Sequence, residues 1–536
     1  MLTSQRGAIQ RPEDDVKHPA TNMRGFGATA LRVSALTLAT QLIGFGSSIA
    51  VARVLGATSA TDAYYLGLSV PMLVYGIFLT TSRQCAIPAL TDEAGASRSS
   101  FVDASGQLIS ATLIVSTLIS ILAAAVAVVL MPLTGSSSVV PVARLKAIEL
   151  APLGVLGAMI GAMASVLAVR NRFAAAALVL GIDPLLRILL LLVAGDTLGT
   201  NALVIANLAG NALAVLVLWA LIRREGIALR LRSPVRSAFV RGMLVVGAPL
   251  VLSTTILQLN PVIDRGMAGD LGSGTITALE LGLRLFGVPM LLIGATLIGP
   301  VIATWSARKA AFGWPALRDS VNRATEVFTL IVPPVLVIGI ALRHQIVEVM
   351  YHGGAYSAHA TDETATVVAM LLIGLPAQLA TIAFSTLFVI ERRTKFCLKA
   401  GIANVILNVV LNFALRPVWG VGGIALSTSL TYSIVLAAYV IAARRRWEGL
   451  TIPFSGLLKA RPAATAVLMV LVAYALLTSV PALTGRLGMT VEIFVVAAGV
   501  LLVYGVLILP AHDRNRALRE FGFRGLAGVR ENQAGR

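Results

Sequence analysis

Two charged pairs interrupt long apolar runs of this chain: Glu280 with Arg284, and Asp183 with Arg187. A spacing of four residues puts both members of each pair on one face of a helix, within reach of each other. A charge near the centre of a bilayer costs about 2.5–3.5 kcal/mol on insertion scales, so each one needs a reason. For Glu280 and Arg284 two roles fit: a cationic lining that meets an anionic ligand, or a self-contained ion pair that orients its helix. For Asp183 and Arg187, near the middle of their run, the structural pair is the first expectation. Arg83 lies late in its run and suits snorkelling to lipid headgroups. Asn404, Asn408 and Asn412 form a stripe of amides that either glues helices together or lines a wet path. Gln41, Gln258 and Asn260 are placed to face a cavity or a neighbouring helix. Asp62 follows Thr61 at the head of its run, where a capping role is the default. Asp264 and Arg265 are expected to end a helix at the membrane surface.

None of these residues frames a reaction centre. The chain has no GxxxxGK[ST] loop, no HExxH and no Ser/His/Asp constellation. Its five histidines (His18, His344, His352, His359, His512) fall in loops or tails without metal-ligand spacing. Cys85 and Cys397, both in apolar segments, frame neither a disulfide scaffold nor a metal site. A binding or carrying protein without cofactor or metal is expected, not an enzyme. Its energy would come from a gradient, the membrane potential or the substrate's own concentration difference.

The elements that must position these residues are membrane spans. Of 536 residues, 57% are hydrophobic and 13% charged, against about 25% charged in a soluble protein. Apolar runs of roughly 20 residues recur from end to end. They read as fourteen helices at about 30–52, 65–88, 107–132, 148–169, 173–194, 200–222, 243–263, 277–304, 325–343, 366–390, 397–415, 420–443, 462–483 and 489–511. The first 28 residues are polar, without an apolar signal core, so the first span is expected to insert itself. With the N-terminus in the cytoplasm, 32 Lys and Arg fall in cytoplasmic segments, counting Arg32 at the inner edge of the first span, and 7 in outer loops, the other four (Arg83, Arg187, Arg284, Lys399) lying within spans. That bias follows the positive-inside rule and puts both termini in the cytoplasm. It also accounts for the net charge of +18 without nucleic acid, through contact with anionic inner-leaflet lipids.

An internal repeat organises the spans. Leu66-Gly67-Leu68-Ser69-Val70-Pro71-Met72-Leu73 returns as Leu281-Gly282-Leu283-Arg284-Leu285-Phe286-Gly287-Val288-Pro289-Met290-Leu291. The pairs Leu55-Gly56 and Leu271-Gly272 precede the two copies. Six spans separate them, an even offset that relates parallel repeats by an axis along the membrane normal. The expected fold is an all-α polytopic membrane protein of two six-helix lobes plus two extra C-terminal helices. Its expected division is a cytoplasmic tail (1–29), an N-lobe (30–222), a basic cytoplasmic linker (223–242), a C-lobe (243–445), the two added helices (446–511) and a cytoplasmic C-terminal tail (512–536).

Several stretches resemble the MurJ/MviN lipid II flippases of the multidrug/oligolipidyl/polysaccharide exporter superfamily. Gly44-Phe45, Ala52-Arg53-Val54-Leu55-Gly56-Ala57, Thr61-Asp62-Ala63-Tyr64-Tyr65 and Pro71 resemble the family's first two helices. Asp264-Arg265-Gly266-Met267-Ala268, Leu271-Gly272-Ser273-Gly274, Leu283-Arg284-Leu285 and Pro289 resemble helices 7 and 8. Gly374-Leu375-Pro376-Ala377 and the run Ala403 to Asn412 resemble helices 10 and 11, and Gly420-Val421-Gly422-Gly423 the start of helix 12. The resemblance implies an inverted V of two lobes around a cationic cavity. It also implies passage of an undecaprenyl-pyrophosphate-linked saccharide from inner to outer leaflet of the bacterial inner membrane. Arg284 stands where the family's helix-8 arginine is expected, and Asp62 where its helix-2 aspartate is expected. The helix-1 arginine positions read Gln41 and Ser47, and the helix-2 arginine falls at or next to Tyr75-Gly76. Arg83, Arg187 and Lys399 are candidate substitutes.

The reading is therefore a flippase for a lipid-linked saccharide, lipid II-like or a polysaccharide repeat unit, working by alternating access. Its expected partners are that saccharide, membrane lipids, and envelope glycosyltransferases or polymerases. A cation-coupled small-molecule exporter of the same superfamily is one alternative. A membrane scaffold that recruits synthases through its basic loops is the other. Candidate cavity residues are Arg284, Glu280, Asp62, Gln41, Arg83, Arg187, Asp183, Asn260 and Asn408.

Overall fold

A computed structural model describes residues 23–133, 139–227, 237–297, 301–455, 460–479 and 485–508. Residues 1–22, 228–236 of the basic linker and the C-terminal tail from 509 lie outside the described residues. Within them the backbone is helical, with one isolated bridge between Gly353 and Tyr356. The helices are α1 (Met23–Leu55), α2 (Ser59–Ala96), α3 (Arg98–Leu130), α4 (Val140–Glu149), α5 (Pro152–Val169), α6 (Phe173–Val179), α7 (Ile182–Leu198) and α8 (Thr200–Arg224). They continue as α9 (Ala238–Ala268), α10 (Thr275–Leu297), α11 (Val301–Ala341), α12 (Arg343–Met350), α13 (Ala358–Ile390), α14 (Thr394–Arg446), α15 (Ala460–Ser479) and α16 (Arg486–Ile508). A helix satisfies its backbone internally, which is what an apolar run inside lipid requires. Among the described residues, ten stretches are long and apolar enough to cross a membrane.

The expected spans differ from these helices in instructive places. The fourth passage is two helices, α4 and α5, that meet just before Pro152, a residue suited to the first turn of a helix. The fifth is likewise split into α6 and α7. The eleventh and twelfth follow each other directly within α14, where the non-helical backbone of Gly420 separates two helices.

The duplication is visible in the backbone. Gly199, between α7 and α8, has φ 53° and ψ −132°, while Gly420 inside α14 has φ 53° and ψ −131°. Both lie in the region that favours glycine. Gly67 and Gly282, equivalent in the repeat, also do the same work. A Cβ on Gly67 would come within 2.7 Å of the Ala143 carbonyl oxygen, and one on Gly282 within 2.5 Å of Val367 Cγ1. Thus α2 rests on α4 in the first lobe as α10 rests on α13 in the second.

Each lobe has its own apolar core. Leu90, Phe101, Leu108, Ile160, Leu167 and Leu218 fill the first, and Leu317, Phe328, Leu375, Phe384, Leu387 and Tyr439 fill the second. A third cluster runs across both, joining Tyr64, Leu66, Val140 and Leu203 to Ile276, Leu279, Val367 and Ile424. The lobes therefore meet at the end where α2 and α10 begin. Helices α15 and α16 pack on the second lobe through Met469, Val496 and Val500 against Leu342. The Arg486 guanidinium donates to the His352 carbonyl at 2.8 Å. Leu487, Phe494 and Leu502 on α16 are exposed, as lipid-facing side chains should be.

Candidate binding site between the lobes

Glu280 is the centre of the charged site. Its Oε2 accepts two bonds from Arg265, from Nη2 at 2.7 Å and Nε at 3.2 Å. Its Oε1 accepts one from Arg284 Nε at 3.2 Å. The expected Glu280–Arg284 pair is thus present, but the stronger partner is Arg265. The expectation that Asp264 and Arg265 end a helix at the surface is corrected: both are buried. Helix α9 runs past them to Ala268 and turns its last residues toward α10. Arg265 also reaches Ser69 of the first lobe, at 3.5 Å. One carboxylate between two guanidiniums leaves the triad with one positive charge in excess.

Arg284 is the accessible member. Its side chain is 46% exposed, against 10% for Arg265 and 6% for Glu280. It stands on α10, which packs against α1 and α2 of the first lobe, and it shares Glu280 with Arg265, which reaches Ser69 there, so the exposed guanidinium lies where the lobes meet. A forked guanidinium at such a point suits a phosphate or carboxylate oxygen.

The first lobe presents a second polar cluster to the same region. Arg187 Nη2 donates to Asp183 Oδ2 at 2.6 Å and to Asn207 Oδ1 at 2.9 Å. Asn207 in turn donates to the Tyr64 hydroxyl. Gly210 lets α8 approach the Asp183 backbone closely. The expected ion pair is present, but it belongs to a network across α2, α7 and α8. Among the described residues, Asp183 Oδ1 and Arg187 Nε are buried without a hydrogen-bond partner, an incomplete satisfaction that buried polar groups rarely tolerate.

Asp62 binds across the lobes. Thr58 caps α2, with Thr61 completing the capping box. Asp62 instead caps α10: Gly274 N–H donates to Oδ2 at 2.6 Å, and Thr277 donates to Oδ1 from its N–H at 2.8 Å and its hydroxyl at 2.7 Å. The expectation of a cap is met on the other lobe's helix, where exposed N–H groups and the helix dipole favour a carboxylate. Beside it, Arg53 Nη2 donates to the carbonyls of Val349 and Met350 at 2.9 and 3.0 Å, and Ala355 N–H donates to the Arg53 carbonyl at 2.8 Å. These bonds lock the two lobes at this end.

The asparagine stripe holds α14 to α9. Asn260 donates to Asn404 at 2.6 Å, and Asn412 donates to Asp264 Oδ1 at 2.7 Å and to Asn408 Oδ1 at 3.2 Å. Thr428, beyond the Gly420 turn, donates to Asp264 Oδ2 at 3.4 Å. Among the described residues no group of three or more His, Cys, Asp or Glu gathers to hold a metal. Asp264 and Thr428 supply a carboxylate and a hydroxyl, oxygen donors suited to a small hard cation, while the amide oxygens of Asn408 and Asn412 already accept from Asn412 and Ser427. Gln41 and Arg83 are exposed on α1 and α2, and among the described residues neither bonds to the Glu280 triad. Lys399 is exposed on α14.

Sequence reasoning missed Arg265, Asn207 and Asp264. Asn207 and Arg187 lie on different helices, so no spacing could pair them. The Asp264-Arg265 dipeptide gave a signal, two adjacent charges at the end of an apolar run, but that signal reads equally as a helix end in water.

The sequence matches the family described as "Lipid II flippase MurJ" over residues 51–496. The probable lipid II flippase MurJ of Rhizobium tropici is 27% identical over 224 residues, 42% of this chain and 42% of that protein. That of Rickettsia prowazekii is 25% identical over 191 residues, 36% of this chain and 38% of that protein. The aligned stretches span less than half the length of these relatives. Among solved structures, lipid II flippase MurJ in an inward closed conformation superposes with TM-score 0.76 at 18% identity, covering 90% of this chain and 99% of that one. An inward-facing multidrug resistance MATE family transporter of the MOP superfamily superposes with TM-score 0.62 at 17% identity, covering 80% and 99%.

Proposed function

Because the chain belongs to the MurJ lipid II flippase family, we propose that it carries an undecaprenyl-pyrophosphate-linked saccharide of the lipid II kind from the inner to the outer leaflet. The observation that carries the proposal is Arg284, a half-exposed guanidinium between the lobes whose counter-ion is shared with Arg265. A pyrophosphate leaving water needs such a donor to replace its hydration. Asp183 and Arg187, already paired, offer an acceptor and a donor to sugar hydroxyls. Gln41, Arg83 and Asn260 are assigned to the walls of the same path, and Asn408, fully buried, to the seam between α9 and α14.

Transport proceeds by rocking of the lobes about this site. The bonds of Asp62 and Arg53 close the outer end, and the polyprenyl tail stays in lipid. The N-lobe is residues 30–222 and the C-lobe 243–445, with a basic linker at 223–242. Helices at 446–511 follow, and both tails, 1–29 and 512–536, are cytoplasmic, as the positive-inside bias favours. The membrane is the bacterial inner membrane, and the enzymes that make and polymerise the saccharide are the natural neighbours.

The test is complementation in a bacterium depleted of its own lipid II flippase. The chain restores growth and brings lipid II within reach of an impermeant cleaving enzyme, while Arg284→Ala, present at equal level, does not. Lipid II that stays in the inner leaflet with the intact chain present would reject the proposal.

A further inference from the structure

We infer that Glu280 is an internal counter-anion that competes with the substrate's phosphate for Arg284, and that Arg265 is the positioning residue that keeps Glu280 in place. The inference rests on the reading of Arg284 as the anion-binding group. The bonds around Glu280 are unequal. Arg265 donates two to Oε2, at 2.7 and 3.2 Å, while Arg284 donates one to Oε1, at 3.2 Å. Arg265 and Glu280 are buried and Arg284 is half exposed. The buried pair is therefore the fixed part and Arg284 the movable part.

This inequality sets what happens when an anion arrives. Leaving a buried carboxylate without partners is costly. Arg265 removes that cost, because Glu280 keeps two bonds after Arg284 turns to the phosphate. The exchange is then one bond at 3.2 Å for a better one. When the phosphate leaves, Glu280 is already in place to take Arg284 back. Binding stays weak enough for release, which a carrier needs as much as capture. Without Arg265 the carboxylate would hold Arg284 alone and with its full charge, and the anion would lose the competition.

The experiment titrates inorganic pyrophosphate against the purified full chain in lipid nanodiscs, with thermal melting of each variant as the fold control. Glu280→Gln binds pyrophosphate about tenfold tighter than the wild type, since a charge-assisted bond to Arg284 has been removed. Arg265→Gln binds it more weakly, and Arg265→Lys, which keeps the charge and loses the fork, shifts the same way by a smaller step. The double variant Glu280→Gln with Arg265→Gln matches Glu280→Gln alone, because Arg265 acts only through Glu280. Equal or weaker binding by Glu280→Gln overturns the inference, as does a double variant that binds less than Glu280→Gln. Arg284→Ala separates the two levels. If it binds like the wild type, the anion-site reading falls; if it alone abolishes binding while Glu280→Gln changes nothing, only the counter-anion falls.

Discussion

Asp62 and Thr277 are 215 residues apart in the chain, occupy the same place in the two repeats, and bond to each other. A residue that touches its own repeat mate lies on the axis relating the lobes. The lock is therefore built on that axis, at the end where the two lobes meet. Two unlike residues meet there: Asp62 brings the carboxylate and Thr277 the donors.

Asp62→Ala should loosen this lock. It removes an acceptor from three donors on α10, at a cost to the closed state of about 1–3 kcal/mol. The populations of open and closed forms then shift about fivefold or more. Spin labels at Ser59→Cys and His359→Cys, with Cys85 and Cys397 replaced by Ser, read the distance across this end. A longer component should grow in the variant; an unchanged distribution would show that Asp62 does not hold the lobes.

Arg284→Ala should cut transport by about tenfold or more, the value of one charge-assisted bond. Its half-exposed side chain makes melting nearly insensitive to the change, within about 0.5 kcal/mol. Loss of fold together with loss of transport would instead mark Arg284 as structural.

Asp264→Asn should abolish stabilisation by a small cation. A ligand that binds only the folded state raises its melting temperature with concentration. The wild type should therefore melt higher in sodium or lithium chloride than in the chloride of a bulky organic cation. The variant should show no difference between the salts. An equal response in both proteins would remove Asp264 from any ion site.

The two repeat glycines should respond differently to alanine. At Gly282 the obstacle is the Val367 side chain, and at Gly67 it is the Ala143 carbonyl together with Lys146 Cβ. Gly282→Ala should cost about 1–3 kcal/mol and be partly rescued by Val367→Ala. Gly67→Ala meets backbone, so no side-chain truncation clears the way. Melting in detergent reads both; failure of Val367→Ala to rescue would place the strain elsewhere.

The repeat was legible because a packing glycine sits within apolar residues that both lobes need. The pairs Glu280–Arg284 and Asp183–Arg187 were legible because helix geometry alone brings their members together. Arg265 was not. Its contact with Glu280 depends on the turn between α9 and α10, and a charge at the end of an apolar run normally reaches water. Asp62 was half legible: the sequence marks it as a cap, while only the docking of the lobes decides which helix it caps. The break within α14 was legible because Pro417 and Gly420 together read as one, and the backbone leaves helical geometry at Gly420.

Helices α15 and α16 are fastened to the second lobe through α11 and α12. They give that lobe a wider perimeter in the bilayer, and a wider body meets more viscous drag. When the lobes swing against each other, the same torque turns the slimmer first lobe through the larger angle. Seen from the lipid, one half behaves as stator and the other as rotor. The cation at Arg284 is mounted on the half that stays still.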